Sequence, residues 1–129
     1  MWIFLKDSFF SVVAHRERPK HVMVRARYSG DISRVFKVRE QHTPDADYPY
    51  RATLTRDKVA RMLSKEVKTL EYDNFKNRAK HFIAERMPVL HQIWGLLVDD
   101  GGPSRYQTPR RHSTRRLRPV EDGRGSNEL

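Results

Sequence analysis

The chain contains no cysteine. That absence excludes disulfide cross-links, thiolate-ligated zinc, iron–sulfur clusters and thiol catalysis. No apolar run approaches the roughly 18 residues that a membrane-crossing helix needs. The six glycines are scattered and form neither G-x-x-x-x-G-K nor G-x-G-x-x-G, so no glycine-rich loop is laid out to cradle phosphates. The G-x-S-x-G turn that presents a nucleophilic serine is missing as well. His81 and His91 stand ten residues apart, about 280° around a helix, and cannot chelate one metal from such an element. At the start, four apolar residues follow Met1 and end at Lys6-Asp7 with no basic segment before them, which is not the pattern of a secretory signal. These absences lead us to expect a soluble, cytoplasmic protein without a cofactor or integral membrane association.

What the chain does have is positive charge. Its 129 residues suit one domain, and 26 Lys and Arg against 16 Asp and Glu give a net charge of +10. A chain this basic favours polyanionic partners. Mean hydropathy is −0.82, so the apolar residues suffice for one modest core. The segment Asp99-Asp-Gly-Gly-Pro103 interrupts the last apolar pattern and divides the charge. Residues 1–98 hold 19 basic and 11 acidic side chains, and residues 99–129 hold 7 and 5. Between Arg105 and Val120 there are six arginines and no acid, with Tyr106, Leu117 and Val120 as the only large apolar residues. Such a segment buries too little to offset its ordering entropy. The expectation is a folded domain over 1–98 and a disordered, arginine-rich tail over 99–129.

Within the folded part, Trp2–Leu5 and Phe9–Ala14 are rich in aromatic and β-branched residues across a short break, which predicts two strands. His21–Tyr28 alternates, with Val22, Val24, Ala26 and Tyr28 on one side and His21, Met23, Arg25 and Arg27 on the other, a half-buried strand with a basic outer face. Ser29-Gly30-Asp31 supplies a turn and a cap for a helix over Ile32–Arg39. Gln41–Asp47 reads as loop. Tyr48–Leu54 alternates again, with Tyr48, Tyr50, Ala52 and Leu54 inward, and Pro49 favours a strand start or a sheet edge.

Thr55 caps a helix with Val59, Leu63, Val67 and Leu70 on one stripe. Asp73 caps the next, with Phe75, Ala79, Phe82 and Ile83 inward. Pro88 opens a last helix carrying Leu90, Ile93, Trp94 and Leu97. The order β-β-β-α-β-α-α-α predicts an α+β fold, an antiparallel four-stranded sheet with helices packed on one face.

Several strings, taken together, resemble a family of small, uncharacterised bacterial proteins: Met1-Trp-Ile-Phe, Phe9-Phe-Ser-Val-Val13, Val24-Arg-Ala-Arg27 followed by Asp31-Ile32, Asp47-Tyr-Pro-Tyr-Arg-Ala52, Tyr72-Asp-Asn-Phe-Lys76, and His91 three residues before Trp94. The resemblance spans roughly residues 1–97 and implies no established activity, while the arginine-rich segment after Val98 departs from the family pattern.

Three places could carry chemistry. The first is the basic sheet face, Arg25, Arg27 and Arg51 with His21 and Thr53. If the third and fourth strands pair, these side chains lie about 5–8 Å apart and suit phosphates or stacked bases. The bland alternative is a solvated face whose arginine stems cover apolar neighbours. The second is the tail, where Arg110, Arg111, Arg115, Arg116 and Arg118 would neutralise phosphates in a salt-dependent, sequence-independent manner, or simply keep the chain soluble. The third is a pocket at Tyr72, Asn74, Lys76 and His91, set against the simpler reading that Asp73 or Asn74 caps a helix. Asp45-x-Asp47 is a weak divalent-ion motif beside a turn proline.

The leading expectation is a small non-catalytic protein that engages nucleic acid or a ribonucleoprotein. The alternatives are a protein-interaction module that docks on an acidic partner, or forms a homodimer, through Trp2, Phe4, Phe9 and Phe10, and a small metal-dependent ribonuclease at Asp45 and Asp47.

Overall fold

A computed structural model of the protein describes residues 1–101, so the arginine-rich tail, with Arg110, Arg111, Arg115, Arg116 and Arg118, lies outside the described residues. The elements are β1 (Trp2–Leu5), β2 (Ser8–Ala14), β3 (His21–Ala26), α1 (Asp31–Phe36), β4 (Gln41–His42), β5 (Tyr50–Thr55), α2 (Arg56–Lys68), α3 (Phe75–Ile83), a 3-10 turn (Ala84–Arg86) and α4 (Met87–Gly101). The chain divides into two units, Met1–Ile93 and a second that starts at Trp94. The composition break after Val98 falls inside α4, which runs on to Gly101.

The mixed α and β character and the antiparallel sheet follow the expectation, but the sheet has five strands in the order β1-β2-β3-β5-β4. The additional strand is Gln41–His42, expected as loop. It pairs with β5 through Gln41–Arg51 and His42–Tyr50, and the His42 ring stacks on Tyr50 at 5.0 Å. Two exposed polar residues present no alternation to read, and their pairing with β5 shows only in the folded chain.

Alternation sorts the sheet faces. Leu5, Phe10, Val12, Val22, Val24, Ala26, Ala52 and Leu54 form one buried face, closed by Ile32 and Phe36 of α1 and Val59 of α2. Register puts the other residues of each strand on the opposite face: Trp2 opposite Ser11, Phe4 opposite Phe9, Ser11 opposite Arg25, and Arg25 opposite Arg51. A second, smaller cluster of Ala79, Ile83 and Met87 joins α3 to the start of α4, with Phe75 and Leu90 against it.

The caps show where local spacing gives way to longer connections. Thr55 caps α2 as expected, its Oγ1 accepting from the Lys58 N–H at 3.2 Å. At α3 the cap is Asn74 and not Asp73, with Oδ1 accepting from the Asn77 N–H at 3.1 Å. At α1 the cap residue lies within the expected Ser29-Gly30-Asp31 turn. Gly30 occupies the cap position at φ +90°, a left-handed conformation costly for any residue with a Cβ. The Glu40 carboxylate then accepts from the N–H groups of Gly30, Ile32 and Ser33 at 3.0–3.1 Å. An anion at this end also complements the helix dipole. α1 stops at Phe36, three residues short of the expected Arg39, because Lys37 turns to φ 57°.

Asp31 itself is buried, 0% exposed, and joins three elements. Its Oδ2 accepts from the Phe9 N–H at 3.0 Å. Arg86 donates to both carboxylate oxygens at 2.8 Å, and Arg34 to Oδ1 at 2.9 Å. Arg86 also lies over the Tyr28 ring, 3.8 Å from its centroid.

Some expected core positions face water. Val67 and Leu70 at the end of the α2 stripe, and Phe82, Trp94 and Leu97, are exposed. The helical period supplies the apolar stripe, but the sheet-facing core uses it only near Val59, with Met62 and Leu63 partly covered.

Because Asp31 is fully enclosed, Asp31→Ala leaves the Phe9 N–H unpaired and the Arg86 charge with only the long contact to the exposed Glu85. It should lower unfolding free energy by about 3–5 kcal/mol. Arg34, 46% exposed, should cost only about 0–1 kcal/mol as Arg34→Ala. Urea unfolding of the two variants checks the ranking, and equal losses would contradict it.

Candidate functional site

The pairing of β3 with β5 brings two of the three sheet arginines together. Arg25 and Arg51 are direct cross-strand partners on the face away from the core. Arg25 Nη2 donates to the buried Ser11 Oγ at 2.7 Å, and its guanidinium lies 4.7 Å from the centroid of the Tyr48 ring. Its Nε is buried and makes no hydrogen bond among the described residues. Arg51 Nε donates to the Tyr48 carbonyl at 3.0 Å, and Arg51 Nη2 stands 3.7 Å from Asp47 Oδ1. A concavity of about 520 Å³ opens over the pair, lined also by Val13, Ala14, His15, Arg16, Met23 and one acid, Glu17.

Tyr48 corrects one sequence expectation and reorganises the site. Alternation put it inward at the start of a strand, but β5 begins at Tyr50. Tyr48 precedes the strand and buries its ring on the opposite side, near Phe9 at 6.5 Å and between the arginines. The Asp47 carboxylate accepts from the Tyr48 N–H at 2.9 Å, in the bend that precedes β5.

Arg27 is not brought into the groove. It lies 5.1 Å from the Tyr48 centroid and lines a different cavity. His21 sits at the far end of β3 opposite Thr55, outside both. Burial lowers the His21 pKa below its ordinary value, assisted by the Arg18 charge and then by His15. Thr53 pairs with Met23.

The second cavity encloses about 410 Å³. Phe4, Phe9 and Tyr48 wall it on the sheet side, and Val89, Leu90 and Ile93 on the α4 side. Phe4 and Phe9 stack at 4.4 Å, and Trp2 meets Phe9 edge-on at 6.0 Å. The aromatic residues of the first two strands stand out in sequence, but nothing local shows that Arg27, Arg86 and α4 meet them.

The proposed pocket at Tyr72, Asn74, Lys76 and His91 comes together only in part. Tyr72 and Asn74 line a shallow hollow with Asp73, Asn77 and His81. Neither Lys76 nor His91 belongs to it, because the 3-10 turn and α4 carry His91 beyond it in the chain and Asn74 is engaged as a helix cap. Glu71 and Arg78 pair across its rim. Asp45 and Asp47 recruit no further ligand: among the described residues no three His, Asp or Glu side chains gather as a metal site would need. No described helix is long and apolar enough to cross a membrane.

The lowered His21 pKa has a sign. The unfolded chain binds this proton more readily than the folded one, so His21 costs stability as pH falls through the ordinary imidazole value of about 6.5. His21→Asn should therefore flatten the acid-side loss of melting temperature between about pH 7 and 5, and an NMR titration of the wild type should give His21 a midpoint below that of a free imidazole. No family model matches the chain, and comparison with curated proteins and with solved structures finds no match either.

Proposed function

We propose that the protein is a small, non-catalytic basic binding protein that engages nucleic acid, or the nucleic acid of a ribonucleoprotein, through its phosphates. The observation that carries this reading is the direct opposition of Arg25 and Arg51 on the outer sheet face, beneath an open concavity where Arg16 and His15 outnumber the single acid Glu17. Like charges directly opposite one another destabilise a sheet, and a phosphate between them relieves that repulsion while satisfying planar donors. Arg25 has no carboxylate partner among the described residues. The Arg51–Asp47 contact joins a carboxylate that is itself exposed, and such pairs contribute little.

The same geometry favours phosphates over bases. The one aromatic ring beside the pair, Tyr48, is buried beneath the guanidinium groups and offers no open face for a nucleobase. Stacking therefore adds little, and the contact is electrostatic and tolerant of sequence. The cations of the β2–β3 loop, Arg16, Arg18 and Lys20, extend the basic surface from the groove's edge. In this reading Arg110, Arg111, Arg115, Arg116 and Arg118 add a sequence-independent electrostatic tether. The resemblance to a family of small bacterial proteins belongs to the same proposal, since its Val24–Arg27 and Asp47–Ala52 strings contain the groove arginines.

Fluorescence anisotropy with a labelled single-stranded RNA and its DNA counterpart, over about 50–300 mM salt, tests it. Binding should weaken linearly on a log–log plot. The double variant Arg25→Ala/Arg51→Ala should reduce the slope by about 1.4, two phosphates at about 0.7 each for a single strand. Replacing the five tail arginines with Ser should reduce it further. Absence of binding at the lowest salt, or a slope unchanged in the double variant, overturns the proposal.

A further inference from the structure

The second cavity is not needed for phosphate binding, and its chemistry is different. About 410 Å³ falls within the range of small-molecule sites, which are mostly apolar with a few placed polar groups. Here the apolar part is Phe4, Phe9 and Tyr48 facing Val89, Leu90 and Ile93. Trp2 stands at its rim and is 69% exposed, although its ring already meets Phe9 edge-on. Val89 is also left exposed. A protein that leaves a tryptophan and a valine partly open beside a ring-lined hollow loses hydrophobic stabilisation that an apolar occupant would restore.

The charged groups lining this cavity are both cationic, beside the neutral hydroxyls of Ser8 and Tyr28. Arg27 lines it, packs on the Tyr48 ring at 5.1 Å, and forms no ion pair among the described residues. Arg86 lines it too. Its Nη1 and Nη2 are committed to Asp31, but its Nε is buried and makes no hydrogen bond among the described residues; the nearest carboxylate oxygen, of Glu85, is 3.9 Å away. No carboxylate lines the cavity. An apolar hollow bordered by one guanidinium without an ion pair, and with no carboxylate in its lining, is complementary to an apolar body that carries a single negative charge.

We propose that this cavity binds a small monocarboxylate with an aliphatic or aromatic body. The body lies against Phe4, Phe9 and Leu90, and the carboxylate meets Arg27. A neutral molecule of the same length would gain the apolar contacts and lose the ion pair, so discrimination by charge is the signature of the site. The inference stands apart from the nucleic-acid reading and survives its failure, because the groove formed by Arg25 and Arg51 contributes no residue to this cavity.

Isothermal titration of the full chain with octanoate, and separately with 1-octanol, tests the site. Octanoate should bind with a stoichiometry of one and at least tenfold more tightly than octanol. Arg27→Gln should weaken octanoate by about tenfold and leave octanol within about twofold. Val89→Trp, which fills the cavity, should abolish both while circular dichroism reports a native fold. Should that variant fail to fold, NMR shifts in the wild type decide: octanoate should move the resonances of Phe4, Phe9 and Leu90. No binding at millimolar octanoate, equal affinity for octanol, no loss in Arg27→Gln, or shifts confined to other residues would each overturn the proposal.

Discussion

A carboxylate taken wholly out of water must be met by donors on every side, and Asp31 is so placed. Isolated, it would cost several kcal/mol of desolvation. Here the β2 backbone supplies the Phe9 N–H, α1 supplies Arg34, and the 3-10 turn before α4 supplies both terminal nitrogens of Arg86. The four bonds have different origins in the chain but one destination, so the ends of three elements are located relative to one another. Arg86, 11% exposed, is held further by the Tyr28 ring beneath it. This junction sets the first turns of α4 beside the aromatic side chains of β1 and β2, and the apolar cavity is the space left between them.

On the outer face of the sheet, Tyr48 separates two environments. Arg25 and Arg27 both lie over its ring, and cation–π contacts of this kind contribute about 0.5–2 kcal/mol according to how far they are desolvated. On one side Arg25 meets Arg51 in an open, charged groove. On the other, Arg27 borders a hollow walled by phenylalanine and aliphatic side chains. A single buried aromatic thus keeps apart an open, charged groove and an apolar cavity. Both depend on Tyr48 lying ahead of β5, which begins at Tyr50.

Much of the sheet was legible because its strands bury one face. Val22, Val24 and Ala26, and likewise Ala52 and Leu54, repeat with the period of a pleat, so β3 and β5 and the orientation of Arg25 and Arg51 could be read directly. The β4 pair Gln41–His42 could not, since both of its residues are exposed and so short a strand shows no alternation. The helical stripes located α2 and α3 but overstated their burial: Val67, Leu70 and Phe82 obey the period and still face water, because periodicity says which side is apolar and not how far a neighbour extends over it. Of the pocket expected at Tyr72, Asn74, Lys76 and His91, only Tyr72 and Asn74 line a common hollow. The four residues were joined across a 3-10 turn whose geometry leaves no signature in spacing.

From the sequence alone came everything that repeats or accumulates locally: an α+β chain, strand faces set by alternation, the Thr55 cap, the absence of cysteine chemistry, and a surplus of cations. The tertiary structure alone decided which charges meet. Arg86 reaches Asp31 from 55 residues away, Glu40 caps a helix that begins before it, and Arg27 parts from Arg25 across one ring. Such pairings arise when separate elements are packed together and desolvated. They follow no period along the chain, and the partner of each group is set by burial and by the geometry of approach.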